Sequence, residues 1–111
     1  MKPIIILCTA PSLEVAKSLC KQLVESSLVA CGQILPGITS IYTWEQTYHE
    51  ESEILMLLKT TESHFKSIEE FILTNHPYSV PEIISISIAD ITPKYANWLN
   101  SNIIFNREKN E

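Results

Sequence analysis

Residues 28–61 read LVACGQILPGITSIYTWEQTYHEESEILMLLKTT. The first half resists a helix. Val29, Ile34, Ile38, Thr39, Ile41, Tyr42, Thr43 and Trp44 belong to the β-branched and aromatic set that strands favour. Pro36-Gly37 sits in the middle, marking a bend or bulge in one long strand or a break between two. Residues 48–60 form the next strand, polar at first and apolar over 54–58. The connection near Gln46-Thr47 lacks Gly, Asn or Asp. The hairpin therefore rests on pattern and not on turn chemistry.

Working outward, residues 3–9 are a continuous apolar run that reads as a buried strand. Ala16, Leu19, Cys20, Leu23 and Val24 recur at helical spacing, with Glu14, Lys17, Lys21 and Gln22 opposite. That predicts an amphipathic helix over 12–26. A second helix is expected over 61–75, with Phe65, Ile68, Phe71 and Ile72 inward and His76-Pro77 ending it. Residues 81–91 alternate at Ile84, Ile86 and Ile88, as a strand does. Thr92-Pro93 opens a short final helix carrying Tyr95, Trp98, Leu99 and Ile103. The tail, 106–111, is polar and is expected to fray.

The order β-α-β-β-α-β plus a short helix predicts an α+β fold, a ferredoxin-like split βαβ sandwich with an antiparallel sheet. One domain is expected over 1–111, ordered from about 3 to 105. Right-handed crossovers place both long helices on one face. Strands 1 and 3 are apolar on both faces, so the other face needs a partner, and a homo-oligomer is expected. Within this order, strands 1 and 3 are read as running parallel.

Hydrophobic residues are 45% and charged residues 19%, an ordinary globular balance that excludes wholesale disorder. Net charge is −5 with one arginine, Arg107, which argues against nucleic-acid and anionic-membrane partners. No run approaches the roughly 20 apolar residues of a membrane span. A cytoplasmic protein is expected. Cys8, Cys20 and Cys31 include no CxxC pair, so neither a structural zinc site nor a disulfide framework is expected. No P-loop, GxGxxG or nucleophile elbow appears, and no enzyme is expected.

The segments LCTAPS at 7–12, LVACGQILPGITSIYTWE at 28–45, ESEILMLLKTT at 51–61, HPYSVPEI at 76–83 and YANWL at 95–99 resemble the CutA family of divalent-cation tolerance proteins. The resemblance runs from about residue 4 to about 103. It implies a ferredoxin-like fold, a homotrimer with sheets inward and helices outside, and a likeness in architecture to PII signalling proteins. It also implies a role in metal tolerance, with copper, Cu(II) or Cu(I), as the attributed metal and zinc or another divalent ion possible. No reaction is implied. The family's copper ligands are a cysteine ending strand 1 and a His-His pair after the second helix. Here Cys8 and His76 match, and Asn75 stands where the first histidine would be. With strands 1 and 3 parallel, His76 is expected about 15 Å or more from Cys8, so one chain cannot close the site. The ligands would then come from two subunits or bind separate ions.

A second candidate constellation is Tyr42, Trp44, Glu53, Lys59, Tyr78 and Glu82. Aromatics with a lysine and carboxylates suit a small anionic or zwitterionic ligand in an inter-subunit cleft, or equally a subunit interface. Lys59 ends an apolar run and needs a partner. Glu45, Glu50, Glu51 and Glu53 read as a solvated hairpin tip, and His49 and His64 as surface residues.

Overall fold

The computed structural model describes residues 2–103. Expectations for residues 104–111 lie outside it. In chain order the elements are β1 (Pro3–Ala10), α1 (Leu13–Glu25), β2 (Cys31–Trp44), β3 (Thr47–Thr61), a 3-10 turn (Glu62–His64), α2 (Phe65–Asn75), β4 (Ile84–Ser87) and α3 (Pro93–Ser101). The strands make one sheet in the order β2-β3-β1-β4, and every neighbouring pair is antiparallel. The α+β class with an antiparallel sheet is as expected.

The parallel reading of strands 1 and 3 is wrong. β1 pairs β3 antiparallel, with Ile6 opposite Leu58 and Cys8 opposite Met56. The reason is bookkeeping of reversals. The crossover through α1 leaves β2 running with β1, and the hairpin then turns β3 against both.

Strand alternation gives the sheet two faces. Ile4, Ile6, Cys8 and Ala10 of β1 with Met56 and Leu58 of β3 are buried under Leu19 and Leu23 of α1 and Ile68 and Ile72 of α2. Both long helices thus cover one face. Ser12 caps α1, its hydroxyl accepting from the Val15 N–H at 3.2 Å. Gly32 is required where β2 meets α1, because an added Cβ would lie 3.0 Å from the Cys20 sulfur. The opposite face carries Ile5, Leu7, Leu57, Ile84 and Ile86. Ile84 and Ile86 stay half exposed there. α3 covers one end of that face, where Leu99 and Ile103 bury Ala30 and Tyr95 meets the Lys59 amine.

Three local expectations are corrected. The last strand is four residues and not 81–91, since it follows β1 only from Ile4 to Leu7. The second helix starts at Phe65, after a 3-10 turn. His64 is buried and not on the surface, its Nδ1 lying 2.7 Å from the Thr61 hydroxyl.

β2 is one strand with an irregularity between Leu35 and Ile38. Leu35 faces Leu55 and Ile38 faces Glu53, so β2 spends one residue more than β3. Pro36 donates no hydrogen bond and Gly37 sits at φ +80, both natural for a bulge. Beyond it the two strands run on as a hairpin arm to Glu45 and Gln46, whose φ values are 50 and 64. Two left-handed residues close this turn without the usual Asn-Gly.

Candidate functional site

The bulge decides which side chains meet. Before it, odd residues of β2 (Cys31, Gln33, Leu35) share a face with Lys59, Leu57 and Leu55 of β3. After it, even residues pair with odd ones, so Tyr42 stands opposite His49 and Ser40 opposite Glu51. One extra residue therefore moves Tyr42 and Trp44 onto the face that holds Glu51, Glu53 and Thr9.

There they line a cleft of about 330 Å³ together with Tyr78, Ser79, Val80 and Glu82 from the segment between α2 and β4. The Tyr42 hydroxyl donates to Glu51 at 2.9 Å, and the Tyr42 ring stacks on His49. The Tyr78 hydroxyl donates to Glu53 Oε2 at 2.5 Å. Glu53 is only 7% exposed, which corrects its expected place in a solvated tip. Burial, then the hydrogen bond to Glu53, pushes the Tyr78 phenol well above its ordinary value. Glu82 at the rim is raised as well, by desolvation first and by the Glu53 charge second.

Five of the six residues of the second constellation line this cleft. Lys59 does not. It lies on the same face of β3 but six residues from Glu53, about 20 Å at roughly 3.3 Å per residue. Its amine meets the Tyr95 hydroxyl at 3.5 Å and sits 5.4 Å from that ring's centre. The partner that Lys59 needs is thus an aromatic of α3, and among the described residues the cleft has no lysine or arginine in its lining. Thr9, Glu51, Ser79 and Val80 were missed. Glu51 was legible two residues from Glu53, and Ser79 and Val80 lie between Tyr78 and Glu82 in sequence; Thr9 becomes visible only with the strand order.

Cys8 and His76 come together, against the expected separation. Because β3 opposes β1, α2 returns its C-terminal end to the C-terminal end of β1. The His76 Nε2–H donates to the Thr9 carbonyl at 2.7 Å, and the Cys8 thiol contacts the same oxygen at 3.7 Å. Sulfur and nitrogen therefore lie within the sum of those distances, about 6.4 Å. One chain suffices to bring them together.

They do not form a ready-made metal centre. His76 Nδ1 accepts from the Tyr78 N–H at 3.1 Å, so both ring nitrogens are engaged. Cys8 is fully buried, and burial pushes its thiol up to about 12, helped by the charges of Glu82 and Glu53. A metal bond needs a thiolate and about 2.0–2.3 Å. Among the described residues no three His, Cys, Asp or Glu side chains gather as a metal site. Asn75 instead donates to the Phe71 carbonyl at 2.8 Å. Cys20 is buried core, as expected, and Cys31 is partly exposed.

Comparison with known proteins agrees with this geometry. The family description "CutA1 divalent ion tolerance protein" matches residues 4–102. The divalent-cation tolerance protein CutA of Thermus thermophilus is 45% identical over 98 residues, covering 88% of this chain and 95% of its own. A solved structure of the Thermus thermophilus protein superposes with a TM-score of 0.89 at 43% identity, covering 92% of this chain and 99% of that one. The crystal structure of CutA1 from Oryza sativa superposes with a TM-score of 0.91 at 35% identity, covering 94% and 95%. The chain belongs to the CutA1 divalent ion tolerance protein family.

Proposed function

We propose that the protein serves divalent-cation tolerance as a non-catalytic, cytoplasmic homotrimer that takes copper, or a similar divalent metal, as exchangeable cargo. The observation behind it is the convergence of the Cys8 thiol and the His76 imidazole on the carbonyl of Thr9. To hold a metal, each donor gives up a hydrogen bond and Cys8 gives up its proton. That makes the site weak and pH-dependent, as suits an ion passed on rather than kept. Family membership supports the tolerance role. The strand order with both helices on one face supports a ferredoxin-like arrangement. The half-exposed isoleucines of β4 support burial of the other face between subunits.

The test is a titration of the reduced, metal-free protein with copper and then zinc against a competing chelator, in wild type, Cys8→Ser and His76→Ala. Saturable binding that weakens in both variants is the expected result. Unsaturable binding indifferent to both substitutions refutes it. Light scattering at micromolar concentration tests the trimer, and a monomer refutes that part.

A second reading is favoured by the cleft. At about 330 Å³ it has the size of a small-molecule site. In this reading the protein is a PII-like trimer whose ligand is a small organic molecule, with metal incidental.

A further inference from the structure

The second reading leaves the ligand's chemistry open, and residue types alone point to an anion or a zwitterion because they include Lys59. The geometry removes Lys59. What remains is one concave site with three carboxylates, Glu51, Glu53 and Glu82, and three aromatic rings, Tyr42, Trp44 and Tyr78. Among the described residues its lining carries no cationic side chain.

Glu53 supplies an independent pointer. It is more than nine-tenths buried and lines the cleft. Tyr78 occupies its Oε2. Among the described residues nothing donates to Oε1, and no cation pairs with Glu53. No buried side-chain oxygen among the described residues lacks a partner, so Oε1 keeps contact with solvent, and a donor from outside can take the place of water there. The rings add a second attraction, since aromatic faces draw cations through their quadrupoles. Tyr42 and Trp44 are each more than a third exposed in the single chain, so a guest can close on them where the cleft opens between subunits.

Size and spacing separate an organic cation from a bare ion. The cleft holds roughly ten times the volume share of one water molecule. Among the described residues no three acidic side chains gather as they would around one ion. Divalent metals with oxygen ligands need several such donors at about 2.0–2.6 Å.

We propose that this cleft binds small organic ammonium compounds, with Glu53 as the charge partner and Tyr42, Trp44 and Tyr78 as aromatic walls. The inference rests on the small-ligand reading, and the loss of copper binding in Cys8→Ser or His76→Ala leaves it untouched.

The experiment is calorimetric titration of the full, reduced protein in a chelating buffer with choline and with putrescine. Sodium succinate and magnesium chloride serve as the anionic and bare-ion probes. Choline or putrescine is expected to saturate at about millimolar concentration or below. Glu53→Gln is expected to weaken that binding at least tenfold, and Glu82→Gln to weaken it by less. Glu69→Gln, a carboxylate on α2 outside the cleft, is expected to leave it unchanged. Should Glu53→Gln fold poorly, Glu82→Gln carries the test. Succinate binding as tightly as either amine overturns the proposal. So does magnesium displacing the amine at equal concentration, or no saturation by either amine. Amine binding that all three substitutions leave unchanged also overturns it, by locating the amine elsewhere.

Discussion

Replacing His76 by alanine is the natural test of a metal role, and the structure says that it does more than delete a ligand. The imidazole bridges two segments. Its Nε2–H holds the Thr9 carbonyl at 2.7 Å, and its Nδ1 holds the Tyr78 N–H at 3.1 Å. The ring also packs on Tyr78, with centres 4.7 Å apart. Each hydrogen bond contributes about 0.5–1.5 kcal/mol net, and a buried group left unpaired costs about 1–3 kcal/mol. An aromatic contact adds about 0.5–1.5 kcal/mol. Water entering the vacated space recovers part of this, so the expected loss for His76→Ala is about 2–4 kcal/mol. Urea denaturation of the metal-free protein, followed by circular dichroism at fixed protein concentration, measures it. A loss below about 0.5 kcal/mol would refute the structural role. The result also decides how a copper titration is read. If His76→Ala is this costly, reduced copper binding counts as evidence only under conditions where the variant is shown to be folded.

Four further outcomes are expected. Gly32→Ala places a methyl 3.0 Å from the Cys20 sulfur and should lose about 1–3 kcal/mol in urea, with Cys20→Ala added to the same chain recovering part. Glu82→Gln should stabilise slightly at neutral pH, by less than about 1 kcal/mol because the exposed rim is screened by water. The raised Glu82 value means that the folded state binds the extra proton, so stability falls as pH rises through the window above the ordinary carboxylate value. The advantage of glutamine should therefore disappear in acid, as denaturation at a series of pH values would show. With Cys8 pushed up to about 12 and Cys20 to about 11, DTNB at pH 8 should label Cys31 first and the other two only on unfolding. Finally, Glu45→Asn with Gln46→Gly should raise stability by about 1 kcal/mol in a thermal melt, since both positions hold positive φ.

Much of the fold was legible. The 3.6-residue spacing of Ala16, Leu19, Cys20 and Leu23 placed α1, and Ser12 and Thr92 marked helix starts that their hydroxyls do cap. Pro36-Gly37 was legible as a bulge or a break, and only pairing with β3 separates the two. The direction of β3 was misread, although two successive reversals of the chain determine it. That single error separated Cys8 from His76. The length of β4 was not legible, because Ile88 keeps the alternation while the ladder with β1 ends at Ile4 opposite Ser87. At the cleft, five of the six residues picked by type do line it. Lys59 failed because sharing a face says nothing of distance along a strand. The burial of Glu53 had no local signal at all, since its partner Tyr78 is 25 residues away in sequence.

The extra residue at Pro36-Gly37 has a consequence at the level of the gene. Deleting one codon there would remove the irregularity, yet Ile38 would still face Glu53 and Tyr42 would still face His49, so the cleft would keep both rings. Deleting one codon between Ile38 and Ile41, with Pro36-Gly37 still holding the irregularity, would instead turn Tyr42 and Trp44 to the other face without either being mutated. Point substitutions can erode that site one contact at a time, whereas a loss of three nucleotides in that short stretch would abolish it in a single event. In-frame deletions should therefore be far less tolerated at 38–41 than at 36–37, where both residues stand exposed.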